Sequence, residues 1–527
     1  MMRRKPGLLP LVSSLGLILN PLSSSAQETP ESWFTQGQET VQRNQSLRAT
    51  AASAGMAKNI ILFVGDGMGV STVTAARILE GQLRGESGEE NELYFETFPN
   101  VALSKTYNTN AQVADSAGTM SAMSTGIKTD AGVISVNQNV RRGDCATQEG
   151  NQVMTFLERA ELLGMSTGVV TTARLTHATP AANYAHSIDR DFEDDRDAAD
   201  LANAGDCIDI ARQLIEFPSN LRGSNGLEVA LGGGRRSFLP RTAGIDPETG
   251  GQGERLDNRN LALEWQANYR NSAYVWNKEQ FDEIDPAATD HLLGLFEPSH
   301  MEYSLDRDAD SPEEPSLSEM TSKAIEILGR NDSGYFLNVE AGRIDHAHHA
   351  INPRRALMDT IALSDAVRTA VEMVDLNETL IIVTADHSHV FTIAGYPTRG
   401  NPILGKVVGL DASGNSRNTE ALAADDLPYT TLGYGNGPGH HAIAGSDSAD
   451  AVYDEEVNLA GRADLTDVDT TLAGFHPETL VPLSSETHGG EDVAIYAIGA
   501  GSDLIRGVME QHVIFHVMMA AGQLDSR

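Results

Sequence analysis

The chain has 527 residues, with 38 Lys and Arg against 74 Asp and Glu, and a formal net charge of −36. It is too long for one small domain and too acidic to bind nucleic acid through a basic surface. Two cysteines exclude a disulfide-knit scaffold and a four-cysteine zinc site, and a 40% hydrophobic content excludes a disordered acidic chain.

The first residues read as an address. Met1-Met2-Arg3-Arg4-Lys5 is basic, Leu8 to Leu19 is apolar, and Ser24-Ser25-Ala26 offers small residues for cleavage. The apolar run falls short of the ~20 residues that span a bilayer. Residues 1–26 are therefore expected to be a signal peptide, and residues 27–527 an exported, periplasmic or secreted protein without a membrane anchor. In an oxidising compartment Cys145 and Cys207 can form one structural bridge or stay as two buried thiols. So acidic a surface repels an anionic substrate in dilute buffer. At 1 M salt the Debye length is only ~3 Å, so a saline environment is expected.

The elements then follow in chain order. Asn59 to Val64 reads as a buried strand leading into Gly65-Asp66-Gly67, and Val70 to Leu83 as a helix. Small residues from Asp115 to Ala122 run into another helical stretch. A helix is expected over 155–163 and a strand over 166–171, which feeds Thr172-Ala-Arg-Leu-Thr-His177. Residues 241–315, rich in Asp, Glu, Gly and Pro, read as an insertion. Then come a helix over 317–328, a strand over 335–339 ending in Glu340, a helix over 356–374, and a strand over 379–384 ending in Asp386-His387. Residues 392–480, rich in Gly, Asp and Ser, read as a second insertion. Alternating strands and helices predict an α/β fold: a doubly wound, mostly parallel sheet with helices on both faces and a small inserted, crown-like subdomain. Ligands of such sheets collect beyond the carboxyl ends of the strands, where these polar residues fall.

Several of those residues suit metal chemistry. Asp345 and His349 are four apart, so on a helix they share a face and make half of a zinc site. Read alone, they are equally a helix-start Asp and an exposed His. Asp386 and His387 add a carboxylate and an imidazole at a strand end, and His488 adds another imidazole. Asp66 is a ligand or a turn former. So many carboxylates cannot all ionise in one cleft without cations. Ser116, at a helix start, faces free amides and the positive end of the helix dipole, a natural place for phosphate. The plainer reading is ordinary N-capping by Asp115 or Ser116. A Gly-x-Ser-x-Gly elbow is missing, which disfavours a hydrolase triad; serine can instead be activated by metal.

From about residue 57 to 500 the chain resembles the alkaline phosphatases. The resemblance rests on Val64-Gly-Asp-Gly-Met-Gly69, Asp115-Ser-Ala-Gly-Thr119, His177-Ala-Thr-Pro-Ala181, Val339-Glu-Ala-Gly-Arg-Ile-Asp-His-Ala-His-His349, Thr384-Ala-Asp-His-Ser-His389 and Glu486-Thr-His-Gly-Gly-Glu491. His177, His346 and the run Gly395-Tyr-Pro-Thr-Arg399 resemble the animal-type branch. The resemblance implies metal-dependent hydrolysis of phosphate monoesters at alkaline pH through a phosphoserine on Ser116, with Arg190 gripping phosphate oxygens. It implies two zinc ions and one magnesium. Asp345, His349 and His488 match the ligands of the first zinc, and Asp66, Asp386 and His387 those of the second. Asp66, Thr179 and Glu340 match those of magnesium. Asp115, His177, His346 and His389 stand just behind these ligands. A fourth, calcium-like or magnesium ion would take Glu248, Phe296, Glu297 and Glu314. The same resemblance implies a Cys145–Cys207 disulfide and a homodimer. The alternatives are a phosphodiesterase or sulfatase of the same superfamily, or a secreted metal-binding protein without turnover. The Cys/Ser-x-Pro-x-Arg setting of sulfatases is missing around Ser116.

Overall fold

Short apolar runs that are buried on both faces set the frame of the molecule. The computed structural model describes residues 56–309, 313–441 and 456–524; the expected signal peptide lies outside the described residues. Strands run through Asn59–Gly65 (β1), Asn100–Lys105 (β2), Ser166–Arg174 (β3), Val229–Gly233 (β4), Ser272–Val275 (β5), His291–Leu295 (β6), Tyr335–Ala341 (β7) and Thr379–Ala385 (β8). After them come Ser388–His389 (β9), Phe391–Ile393 (β10), Leu432–Gly437 (β11), Thr479–Pro482 (β12), His488–Gly489 (β13), Val493–Gly499 (β14) and Gly507–Glu510 (β15). The helices that matter here are Val70–Leu83 (α1), Ser116–Thr125 (α2), Phe156–Leu162 (α3), Ala178–Tyr184 (α4), Leu317–Leu328 (α5), Arg343–His349 (α6), Pro353–Met373 (α7) and Val513–Ala521 (α8).

The main sheet has ten strands in the order β15-β2-β14-β8-β1-β7-β3-β4-β6-β5. From β8 to β5 every pairing is parallel, and β14 runs antiparallel to both β8 and β2. The residues of β1 show why it lies in the middle. Ile60, Leu62 and Val64 point into one core and Ile61 and Phe63 into the other, all fully buried. Each such side chain contributes roughly 1.5–3 kcal/mol on leaving water. The first core also takes Met120 and Met123 of α2, Phe156 of α3, Ala181 of α4 and Phe515 of α8. The second takes Val73 of α1, Met320 of α5, and Leu363 and Val367 of α7. The sheet is thus doubly wound, as the alternation of strand and helix predicts.

Local chemistry sets the helix starts. Thr155 and Glu158 form a capping box on α3, and Ser316 and Glu319 another on α5. Helix α7 begins three residues before the expected Ala356, because Asn352 caps it and Pro353 fits its first turn.

Residues 241–315 differ from the expected insertion. Ser272-Ala-Tyr-Val275 and His291-Leu-Leu-Gly-Leu295 are long enough to pair, and they extend the sheet beyond β4 as β6 and β5. Between 392 and 480, strands β10, β11 and β12 form a separate three-stranded sheet, with β10 starting one residue before that stretch. Among the described residues no helix is long and apolar enough to cross a membrane.

Cys145 and Cys207 are joined in a disulfide, and Val133, Val136, Val140 and Ile188 pack around it. The bridge closes a loop across a sequence separation of 62. Replacing both cysteines by serine is expected to lower stability by about 4 kcal/mol in the chain-entropy model, measured as the shift in denaturant midpoint.

Candidate active site

Parallel strands deliver their carboxyl ends to one place. Asp66 follows β1, Glu340 is the penultimate residue of β7, and Asp386 follows β8; α6 begins just after β7 and presents Asp345 and His349. His177 and Thr179 sit where β3 passes into α4, and Ser116 opens α2. Strand β13 pairs antiparallel with β9, setting His488 opposite His389. The turn after Asp66 needs Gly67, which has φ +66° and lies so close to the His389 ring that a side chain would collide with it.

The hydrogen bonds fix which nitrogen of each histidine is free. Nδ1 of His349 donates to the carbonyl of Glu486 (2.6 Å), and Nδ1 of His488 donates to the carbonyl of Ala114 (2.7 Å). Both rings therefore turn a lone pair on Nε2 inward, and these two nitrogens stand 3.1 Å apart. Oδ1 of Asp345 lies 3.3 Å from the first and 3.4 Å from the second. Two imidazoles and a carboxylate at such distances could hold a cation. His387 is similar. Its Nδ1 faces the carbonyl of Ser388 (3.3 Å), and its Nε2 lies 3.3 Å from Asp66 Oδ1, 3.4 Å from Asp386 Oδ2 and 3.1 Å from Ser116 Oγ. The serine oxygen is also 3.3 Å from Asp66 Oδ1.

A third set is oxygen-rich. Among the described residues, Asp66 Oδ2, Thr179 Oγ1 and Glu340 Oε1 are buried without a hydrogen-bond partner, which suits a hard cation such as magnesium. The other Glu340 oxygen accepts from the Thr171 hydroxyl. His177 shares ligand-forming distances with Asp66 and Glu340.

Charge makes the same case. Burial, then the neighbouring Asp386, Asp345 and Glu340, push the Asp66 carboxyl well above its ordinary range. Burial pushes Glu340 up to about 8. Burial also opposes ionisation of Asp345, but the imidazoles of His349, His389 and His488 hold it well below the carboxylate range. His389 lies between Asp345 Oδ1 (2.9 Å) and Glu486 Oε2 (2.5 Å), whose charges outweigh burial and raise it to about 10. Burial and Arg190 press His177 well below its usual value, and burial and Arg343 do the same to His346. Arg190 is held by Asp115 Oδ2 (3.3 Å) and His177 Nε2 (3.2 Å). Asp115 is at once the cap of α2, accepting from Gly118 N, and the partner of Arg190.

The structure thus gathers Ser116, Arg190, Asp66, Thr179, Glu340, Asp345, His349, Asp386, His387 and His488 in one cleft, with Asp115, His177, His346 and His389 behind them. At the residues expected to hold a fourth ion, the contacts seen are to other groups of the chain. Buried Arg235 pairs with Asp246 and Glu248, and it donates to the carbonyls of Leu295 and Phe296 (2.9 and 3.0 Å). A guanidinium thus supplies the positive charge at Glu248 and Phe296. Glu314 accepts from Glu302 N (3.1 Å), and among the described residues Glu248, Glu297 and Glu314 make no common ligand cluster. Sequence reasoning missed Glu486, although it opens one of the quoted motifs. It also missed His300, whose ring lies 4.0 Å from that of His346; nothing in its local sequence marks it.

The alkaline phosphatase family model matches residues 57–524. The chain belongs to the alkaline phosphatase family. It is 41% identical over 518 residues to the tissue-nonspecific isozyme of Homo sapiens, covering 97% of this chain and 92% of that protein. It is 43% identical over 499 residues to the alkaline phosphatase of Gadus morhua, covering 93% and 97%. The fold is similar to that of the Thermus thermophilus enzyme, with a TM-score of 0.61, 24% identity and coverage of 89% and 92%. The enzyme from the Antarctic bacterium TAB5 gives 0.58, 21%, 89% and 99%. The protein is accordingly a phosphomonoesterase of a metal-dependent family, which sets aside the diesterase, sulfatase and non-catalytic alternatives.

Stripped of cations, the site should make folding sensitive to alkali. Above pH ~7.5 the depressed histidines are largely neutral in both folded and unfolded chains. Glu340, raised to about 8, and His389, raised to about 10, still hold protons in the folded state that the unfolded chain has released. Stability of the metal-free protein is therefore expected to fall as pH rises from ~7.5 to ~10, and loading with metal should flatten that slope. Thermal midpoints across that range, with and without metal, check it.

Proposed function

We propose that Ser116 is the nucleophile and Arg190 the phosphate-gripping residue of this phosphomonoesterase. Asp345, His349 and His488 would hold one zinc, and Asp66, Asp386 and His387 a second. Asp66, Thr179 and Glu340 would hold a magnesium. The observation that carries this reading is the Ser116 hydroxyl, buried at the start of α2 within 3.3 Å of both Asp66 and His387. When bound, the cations would stabilise negative charge on the attacking and departing oxygens and neutralise the phosphate.

The chain's own groups do the rest. Asp115 and His177 aim the Arg190 fork at two phosphate oxygens, which its planar geometry suits. The free amides of the first turn of α2 face the same phosphate. Ser116 Oγ attacks phosphorus in line, its bond to phosphorus forms as the ester P–O bond breaks, and the alcohol leaves. Water then attacks the phosphoserine, releasing inorganic phosphate and restoring the serine. The Cys145–Cys207 bridge supports export to an oxidising compartment.

Ser116→Ala is expected to cut kcat by about 10³-fold or more. It should keep wild-type zinc and magnesium content by elemental analysis and retain no phosphate label; a labelled variant would reassign the nucleophile. Chelation should abolish turnover of p-nitrophenyl phosphate, and zinc with magnesium should restore it. Activity should rise with pH into the alkaline range, because the attacking oxygens react deprotonated. Full activity after exhaustive chelation would overturn the metal assignment.

A further inference from the structure

The motif Glu486-Thr-His-Gly-Gly-Glu491 contributes more than His488. Glu486 is a buried carboxylate at 1% exposure, and all of its polar groups face the segment that carries the metal ligands. Its Oε2 accepts from His389 Nδ1 (2.5 Å) and its Oε1 from Val390 N (2.7 Å). Its main-chain carbonyl accepts from His349 Nδ1 (2.6 Å). The far side of the His389 ring donates to Asp345 Oδ1 (2.9 Å). Five residues on, Glu491 accepts from the Ser388 hydroxyl (2.6 Å). The two glutamates therefore grip Ser388, His389 and Val390 from one side, across the short β9–β13 pairing.

We propose that Glu486 is a positioning residue for the Asp345–His349–His488 centre. Its side chain fixes His389 against Asp345, and its carbonyl fixes the tautomer and ring angle of His349. This inference rests on the metal assignment above. One residue thus orients two of the three groups and stands two positions before the third. Carboxylate–histidine pairs behind metal ligands set ligand orientation, and losing one costs about 10–100-fold in metal affinity or activity. Glutamine is the informative substitution. The carboxylate presents two acceptors to two donors, whereas the amide presents one acceptor and turns its NH₂ towards the other donor. His389→Asn cuts the relay at its other end: the amide can still donate to Glu486, so that carboxylate keeps a partner, but it cannot reach Asp345.

The test compares zinc-loaded wild type, Glu486→Gln, His389→Asn and the double variant. Zinc release into a chromogenic chelator is followed, and kcat and KM for p-nitrophenyl phosphate are measured at limiting and saturating zinc. Each single variant is expected to release zinc about 10–100 times faster. Each should lose kcat at limiting zinc and regain most of it at saturation, with KM little changed. The double variant should release zinc no faster than the quicker single one, because both changes break one relay. Release within about twofold of wild type in the single variants, or effects that multiply in the double variant, would overturn the proposal. If Glu486→Gln does not fold, His389→Asn decides alone. A wild-type enzyme that carries no zinc overturns the metal assignment, and this inference with it.

Discussion

Four carboxylates held out of water at one end of a parallel sheet are the constraint on which the molecule turns. Asp66, Glu340 and Asp386 are fully buried and Asp345 is 4% exposed. Each is fixed to a buried strand or to the helix just after one, so none can swing out to solvent. One guanidinium, Arg190, shares the cleft. Burying an unpaired charge costs several kcal/mol, so this arrangement is stable only with protons or cations present. The sheet supplies the rigidity that permits it: two apolar cores press on β1 and β8 from opposite faces, and the acidic residues have no route of escape.

The hydrogen bonds divide labour among these carboxylates. Asp386 accepts from Gly67 N (3.0 Å), His387 N (2.8 Å) and the Thr119 hydroxyl (3.2 Å), so the protein itself holds that carboxylate in orientation. Asp345 is surrounded by imidazoles. Among the described residues, Asp66 and Glu340 each keep one oxygen without a hydrogen-bond partner at normal distance. That difference sorts the cleft into two positions with imidazole and carboxylate together, which suit zinc, and an oxygen-rich position beside His177, which suits a harder cation. The sorting comes from second partners: the carbonyls of Glu486 and Ala114 decide which imidazole nitrogen carries the lone pair.

What could be read in the sequence was what local chemistry writes there. Short, mostly apolar runs rich in β-branched and aromatic residues gave β1, β7 and β8, and the polar residues that end them gave most of the cleft. Helix α1 and helix α5 end where their patterns end. Strands β5 and β6 were illegible because runs of four or five residues among polar neighbours look like loops until a sheet edge pairs with them. The partner found at the residues expected to hold a fourth ion was illegible for the same reason. Glu248 and the carbonyl of Phe296 are claimed by Arg235, 13 and 61 residues away, and no spacing rule reports such a partner. Glu486 reaches His389 across 97 residues, so its motif was visible but its role was not.

Helix α2 shows how sequence and constraint meet. All ten residues of Ser116–Thr125 are buried, and they are Ser, Ala, Gly, Thr and Met without an amphipathic stripe. A helix enclosed on every side needs small residues rather than a polar face. At Gly118 a side chain would run into the Asn108 amide, so only glycine admits that contact. Asn108 in turn accepts from Asp115 N (3.1 Å) and donates to its carboxylate (3.3 Å), while Asp115 caps the helix, accepts from Gly132 N (2.9 Å) and holds Arg190. The helix start that aims Ser116 and the guanidinium beside it are therefore fixed by the same carboxylate. Displacing Asp115 would move both groups together, and keeping their relative position is the reason for burying a helix of such small residues.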